Sequence, residues 1–202
     1  MSKKPVIVFE GIEGSGKSYH ISNVSRYLKK NKIDHIKIRE PGGSLNAEKI
    51  RKLILSNKSN FNQDTDLLLY LAARSENIKL LRKYYKKKII LIDRFVDSTI
   101  AYQHYGLGVN INLINTINNY LLKNFKIDFT FLNIVSKKNM IKRLKSRRSL
   151  NRYDKFKSNF YQKVQKGFLK LSDKKNKYQI VDSNLDIKMN KSLIINKLIK
   201  LI

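Results

Sequence analysis

Gly11-Ile12-Glu13-Gly14-Ser15-Gly16-Lys17-Ser18 has the residue types and spacing of a loop that cradles phosphate. Its three glycines let the backbone bend tightly and turn several N–H groups toward one anionic point, beside the positive end of a following helix. Lys17 can then reach the outer phosphates of a bound nucleotide, and Ser18 can ligate the Mg²⁺ that accompanies them. A second constellation is Asp93-Arg94, which ends the apolar run Ile89-Ile90-Leu91-Ile92. A carboxylate in that position suits Mg²⁺, directly or through water, and the guanidinium fork suits phosphate oxygens. A third is Arg143, Arg147, Arg148 and Arg152, a local switch to arginine in a chain that mostly uses lysine. That switch points to bidentate phosphate contacts.

Elements of a particular kind must position these groups. Apolar runs of strand length, Val6–Phe9, His35–Arg39, Ile89–Asp93, Phe129–Val135 and Tyr178–Asp182, alternate with longer segments of helical period. This predicts an α/β fold, a five-stranded parallel sheet with helices on both faces, in one domain over residues 1–202. Ligands of such sheets bind outside the carboxyl ends of the strands, where the phosphate loop, Arg39 and Asp93-Arg94 all fall. After Arg39, the run Glu40-Pro41-Gly42-Gly43-Ser44 predicts a tight turn that aims Arg39 into the crevice, with a cis Glu40–Pro41 bond as one option, and a helix from Leu45 to about Leu55 capped by Ser44.

The spacing predicts a long helix over 64–85, with Tyr70 and Arg74 one turn apart on one face. A further helix presents Asp97, Ser98, Thr99, Tyr102 and Gln103 at i, i+3 and i+4 positions. Asn139 to Lys145 is a helix leading into the arginine cluster, and a mobile lid is expected over about 146–155. Phe156, Phe160, Val164 and Phe168 recur every four residues, the pattern of a core-facing stripe.

Composition narrows the classes. No apolar segment approaches the 18 or so residues of a membrane span, and the start of the chain runs directly into the first strand, so no leader peptide is expected. With no cysteine, thiolate metal sites and disulfides are excluded, which agrees with a reducing cytoplasm. The formal net charge of +28, from 43 Lys+Arg against 15 Asp+Glu, invites a nucleic-acid reading. Lysines spread over nearly every helix in a chain rich in Asn and Ile argue instead for compositional bias, with no specific nucleic-acid partner. The field would still speed the encounter with polyphosphate ligands.

From Val6 to Asn184 the order of motifs resembles the thymidylate kinase family. The resemblance rests on Phe9-Glu10-Gly11-Ile12-Glu13-Gly14-Ser15-Gly16-Lys17-Ser18, Arg39-Glu40-Pro41-Gly42-Gly43, Ala72-Ala73-Arg74, Asp93-Arg94-Phe95, Ala101-Tyr102-Gln103 and Asn151-Arg152-Tyr153-Asp154. It implies a P-loop nucleoside-monophosphate kinase architecture with a short lid, ATP-dependent phosphorylation of dTMP, and a homodimer. By the same resemblance, Glu13 approaches the sugar 3′-hydroxyl of the acceptor and Tyr70 stacks on thymine. Arg74 and Gln103 hydrogen-bond the thymine edge, with Ser98 and Thr99 lining that pocket. Tyr102 crowds the 2′ position, and Arg39 and Arg94 hold the acceptor phosphate. Because the loop has no arginine of its own, the bacterial subtype is implied, in which Arg147, Arg148 or Arg152 reaches the transferred phosphoryl group. Two rivals are another nucleoside or nucleoside-monophosphate kinase and a nucleic-acid-dependent P-loop ATPase.

Overall fold

A computed structural model of the chain describes residues 4–147, 149–173 and 176–202. Val6–Glu10 (β1) is buried along its whole length, as a strand covered on both faces must be. It lies at the centre of a sheet with strand order β2-β3-β1-β4-β5, where β2 is His35–Arg39, β3 is Ile89–Asp93, β4 is Phe129–Ile134 and β5 is Tyr178–Asp182. All four pairings are parallel. The predicted strands agree with these to within a residue or two at their ends.

The register matters for function. Asp93 pairs with Phe9 on one side and Arg39 on the other, while Glu10 pairs with Leu132. The carboxyl ends of four strands therefore finish side by side. The connection leaving β1 crosses β3 to reach β2, and the connection leaving β3 crosses β1 to reach β4. Running in opposite directions, they leave a crevice between β1 and β3.

Alternation along β1 sends side chains to two separate cores. Ile7 and Phe9 pack with Ile21, Val24 and Leu28 of helix α1 (Lys17–Lys30). On the other face, Val6 and Val8 pack with Ile78 and Leu81 of the long helix Gln63–Tyr84. That long helix is α3, since Leu45–Leu55 forms α2 before it. Helices thus cover both faces, as the strand pattern requires.

The helix after β3 departs from its predicted regularity. Val96–Thr99 (α4) widens into a π-helical stretch, Ile100–Gly106. Leu107 N–H bonds back to the Tyr102 carbonyl, five residues earlier. A close approach accompanies it. Gly106 lies against Phe160 and Val164, and Gly167 against Tyr105, so a Cβ at either glycine would meet a ring within 3 Å. Phe160, Val164 and Gly167 belong to α7 (Ser158–Ser172), which follows α5 (Ile111–Leu122) and α6 (Lys137–Lys145). The aromatic stripe on α7 is core as predicted, with Val164 and Phe168 fully buried and Phe160 and Phe168 packed edge-on against Tyr102. The chain ends in α8 (Ile187–Ile199).

Candidate active site

Among the described residues, five α-helices carry a side-chain cap, whereas α1, α4 and α7 do not. α2, α3, α5, α6 and α8 each begin on Ser, Asn or Asp whose side chain accepts from a first-turn N–H. α1 begins on Gly16, in the left-handed region at φ 85°, with no side-chain cap. Its positive end is left to the cleft.

The loop is held in shape through its carbonyls. Lys17 Nζ donates to the carbonyls of Gly11 and Ile12, both at 2.8 Å. Arg94 also donates to Gly11, Arg143 to Gly14 at 2.8 Å, and Ser183 Oγ to Ser15 at 2.5 Å. Four carbonyls of the loop, those of Gly11, Ile12, Gly14 and Ser15, are thereby anchored. Gly11 sits at φ 136°, and a Cβ there would lie 2.1 Å from the Asn133 carbonyl oxygen. Only glycine fits this position. Burial, reinforced by Arg94, pulls Lys17 down to about 7 against the opposing pull of Asp93 and Glu13. Ser18 Oγ and Asp93 Oδ2 meet at 3.2 Å at the mouth of the loop.

Arg94 faces Lys17 from the end of β3, with its backbone at φ 65°. Its guanidinium donates to Glu13 Oε1 at 2.8 Å, lies 3.4 Å from Ser98 Oγ, and sits over the Tyr102 ring at 5.1 Å. Tyr102 OH donates to the other Glu13 oxygen. Burial opposes the charge on Glu13, but Arg94 and Lys17 outweigh it and hold the carboxyl below its ordinary range.

The far wall is built around Arg74, only 2% exposed. It donates to Glu40 Oε2 at 2.9 Å, Asn118 Oδ1 at 2.6 Å and Thr99 Oγ1 at 3.0 Å, and its guanidinium lies over the Phe95 ring at 5.0 Å. Beside it Gln103 is fully buried, and neither its amide oxygen nor its amide nitrogen has a hydrogen-bond partner among the described residues. A donor and an acceptor, both aimed into a cleft, suit a ligand edge that offers the complement. Tyr70 forms part of the same wall, edge-on to Tyr153 at 5.9 Å. Arg39, half exposed, forks onto Glu48 at 3.1 and 2.9 Å. The Glu40–Pro41 peptide is cis.

One cleft of about 410 Å³ runs between these groups, bounded by Gly14 to Ser18 on one side and by Arg74, Tyr102 and Gln103 on the other. Glu13, Arg39, Tyr70, Asp93, Arg94, Ser98, Thr99, Arg143 and Arg147 also line it, so most of the expected site residues converge. Gly11 and Ile12 act from behind, as the carbonyls that Lys17 grips.

The arginine cluster divides. Arg143 braces the phosphate loop and the Ser183 carbonyl. Arg147 reaches the cleft wall, paired with Asp154 Oδ1 at 2.5 Å. Arg152 points elsewhere. It donates to the Ile54 carbonyl at 3.1 Å and pairs with Asp66 Oδ1 at 2.5 Å, outside the cleft lining. It is tethered to α2 and α3 through the Ile54 carbonyl and buried Asp66, away from the cleft in which a phosphoryl contact was expected of it. Arg148 lies outside the described residues. Between Ser146 and Arg152 the described residues form no helix, and a short 3-10 turn follows at Tyr153–Lys155.

Several lining or supporting residues escaped the sequence reading, among them Arg51, Glu40, Asn118 and Asp66. Arg51 lines the cleft and donates to the Pro41 carbonyl at 2.6 Å. It is an arginine in a lysine-rich chain, the same signal that singled out the cluster near residue 147. For Asn118, which meets Arg74 from 44 residues away, no local pattern existed to find it.

The family model described as thymidylate kinase matches residues 9–194. The thymidylate kinase of Thermosipho africanus is 37% identical over 183 residues, 90% of each chain. That of Mycoplasma capricolum is 36% identical over 97% of this chain and 93% of its own. Among solved structures, thymidylate kinase from Ehrlichia chaffeensis superposes with a TM-score of 0.76 at 30% identity, covering 96% of this chain and 97% of that one. The phosphate loop facing a buried polar pocket, the five-stranded parallel sheet and these matches along nearly the whole length agree, and the chain belongs to the thymidylate kinase family.

Proposed function

We propose that the cleft transfers the γ-phosphoryl group of ATP in line to a 5′-phosphate oxygen of dTMP, giving ADP and dTDP. The observation that carries this reading is the continuity of the cleft, in which a phosphate loop and a pocket with an unsatisfied buried amide face each other. An ATPase acting on a polymer needs no such second pocket. The acceptor oxygen is already anionic near neutrality, since a phosphate monoester has its second pKa near 6, so no side chain need act as base. The chain's work is then to orient and to neutralise charge.

Gly11 to Ser18 hold the ATP phosphates, with Lys17 on the outer ones and Arg143 bracing the loop. Arg94 and Arg39 take the acceptor phosphate, each exchanging a carboxylate partner, Glu13 or Glu48, for it. Glu13, once released from Arg94, is free to accept from the sugar 3′-hydroxyl, and Tyr102 fills the space where a 2′-hydroxyl would sit. Gln103 and Arg74 read the base edge while Tyr70 packs on its face. Arg147, the lid arginine that reaches the cleft, is the one we assign to the transferred group.

Ser18 and Asp93 fit Mg²⁺. The ion keeps most of its shell as water and phosphate oxygen, so two adjacent protein oxygens at the cleft mouth suffice. No cluster of three or more acidic or imidazole groups competes for it among the described residues. When bound with ATP, Mg²⁺ neutralises phosphate charge. We also propose a homodimer working in the cytoplasm, with α3 and its half-exposed Leu68 as the supporting surface. No described helix is long and apolar enough to cross a membrane.

A coupled ADP-release assay over a panel of monophosphates tests the acceptor. A buried amide that pairs with one base edge discriminates strongly against edges that leave it unpaired, so kcat/KM for dTMP should exceed that for dGMP and dAMP by at least about 100-fold. Equal rates with purine monophosphates, or ADP release driven by DNA without any acceptor, would refute the reading.

A further inference from the structure

Glu10, the last residue of β1, is fully buried and takes no part in the cleft lining. Oε1 accepts from Phe95 N–H at 2.8 Å and Ser98 N–H at 3.2 Å, and Oε2 accepts from Ser98 Oγ at 2.5 Å. These are the start of α4, whose own N-cap residue, Phe95, supplies no side-chain cap. A carboxylate 85 residues away therefore does the work of a cap. The same turn is gripped once more from β1, since Arg94 N–H donates to the Phe9 carbonyl at 3.0 Å.

We infer that Glu10 is a positioning residue for the acceptor phosphate, acting through Ser98 and the Phe95 turn to fix where the Arg94 guanidinium lies. Ser98 Oγ is the relay: it donates to Glu10 and lies within reach of Arg94 Nη1 at 3.4 Å. Arg94 occupies a left-handed backbone position that a non-glycine residue adopts at a cost, so the turn needs these ties to hold it. Burial and the charge of Asp97 push Glu10 up to about 7. The two N–H groups need only an oxygen at the reach of Oε1, which an amide supplies, and an amide nitrogen in place of Oε2 can donate to Ser98 Oγ with that hydroxyl turned round.

This inference rests on the proposed role of Arg94, and two substitutions separate the two. Glu10→Gln keeps the length and the Oε1 acceptor, and should keep the KM for dTMP within about threefold. Glu10→Asp keeps the charge but falls short of the turn. It should raise the KM for dTMP about tenfold while the KM for ATP stays within about twofold. Equal rises in both KM values, unchanged kinetics in Glu10→Asp, or Glu10→Gln as impaired as Glu10→Asp would each overturn it. So would a Glu10→Asp variant that fails to fold beside a normal Glu10→Gln, because Glu10 would then belong to the scaffold alone. Wild-type protein that does not phosphorylate dTMP at all would instead refute the reading on which the inference rests.

Discussion

Lys17→Ala lowers turnover with ATP and dTMP by about 10²–10³-fold while the fold survives. The catalytic loss follows from removing the one cation within the phosphate loop, placed where charge on the transferred group must be neutralised. The structural tolerance follows from its burial. Lys17 is 6% exposed, and burial pulls it to about 7 from an ordinary value of 10.5. Folding thus disfavours its charged form. Between about pH 7 and 10.5 the unfolded chain binds the extra proton, so the wild-type protein gains stability as pH rises through that window. Lys17→Ala removes this dependence and costs little stability at neutral pH. Of the carbonyls it grips, Gly11 keeps Arg94 as a donor. Steady-state rates with thermal melts at pH 7 and 9 check both halves. Near-normal turnover would remove the phosphate loop from the mechanism.

Arg74→Ala acts in the opposite proportion, on stability as much as on activity. Arg74 and Glu40 are 2% and 5% exposed, and the pair is the centre of a buried network. Burial already raises Glu40 above the ordinary carboxylate range, and Arg74 is its main compensation. Breaking a buried ion pair from one side costs about 3–5 kcal/mol, which for a chain this long lowers Tm by roughly 10 °C. Asn118 Oδ1 and Thr99 Oγ1 lose their donor as well. Binding of dTMP should weaken beyond measurement, and adding Glu40→Gln should recover part of the Tm without recovering dTMP binding. A change in Tm of less than 2 °C, on the same principle, would show that the network carries no net charge burial.

How much of this was legible beforehand depends on the distance over which each feature acts. The five strands, the phosphate loop and the Asp93-Arg94 strand end rest on apolar runs and neighbouring residues, and they are found where expected. Arg152 shows the limit. Its type and position matched a phosphate ligand, but its partner is Asp66, 86 residues earlier, and only the packing of α3 against the lid root brings them together. Glu10 and Asn118 are similar, each serving a residue far along the chain. The π-helical widening at Ile100–Gly106 escaped because helical spacing assumes a constant turn. The glycine contacts between that stretch and α7 that accompany it appear only once both are packed.

The central claim is that one cleft holds donor and acceptor together and passes a phosphoryl group directly between them. Incubation with [γ-³²P]ATP, Mg²⁺ and dTMP, followed by separation of products, tests it most directly. The account predicts label in the β-phosphate of dTDP, one equivalent for each ADP formed, with little label in inorganic phosphate. Label released as inorganic phosphate at the same rate whether or not dTMP is present would contradict it.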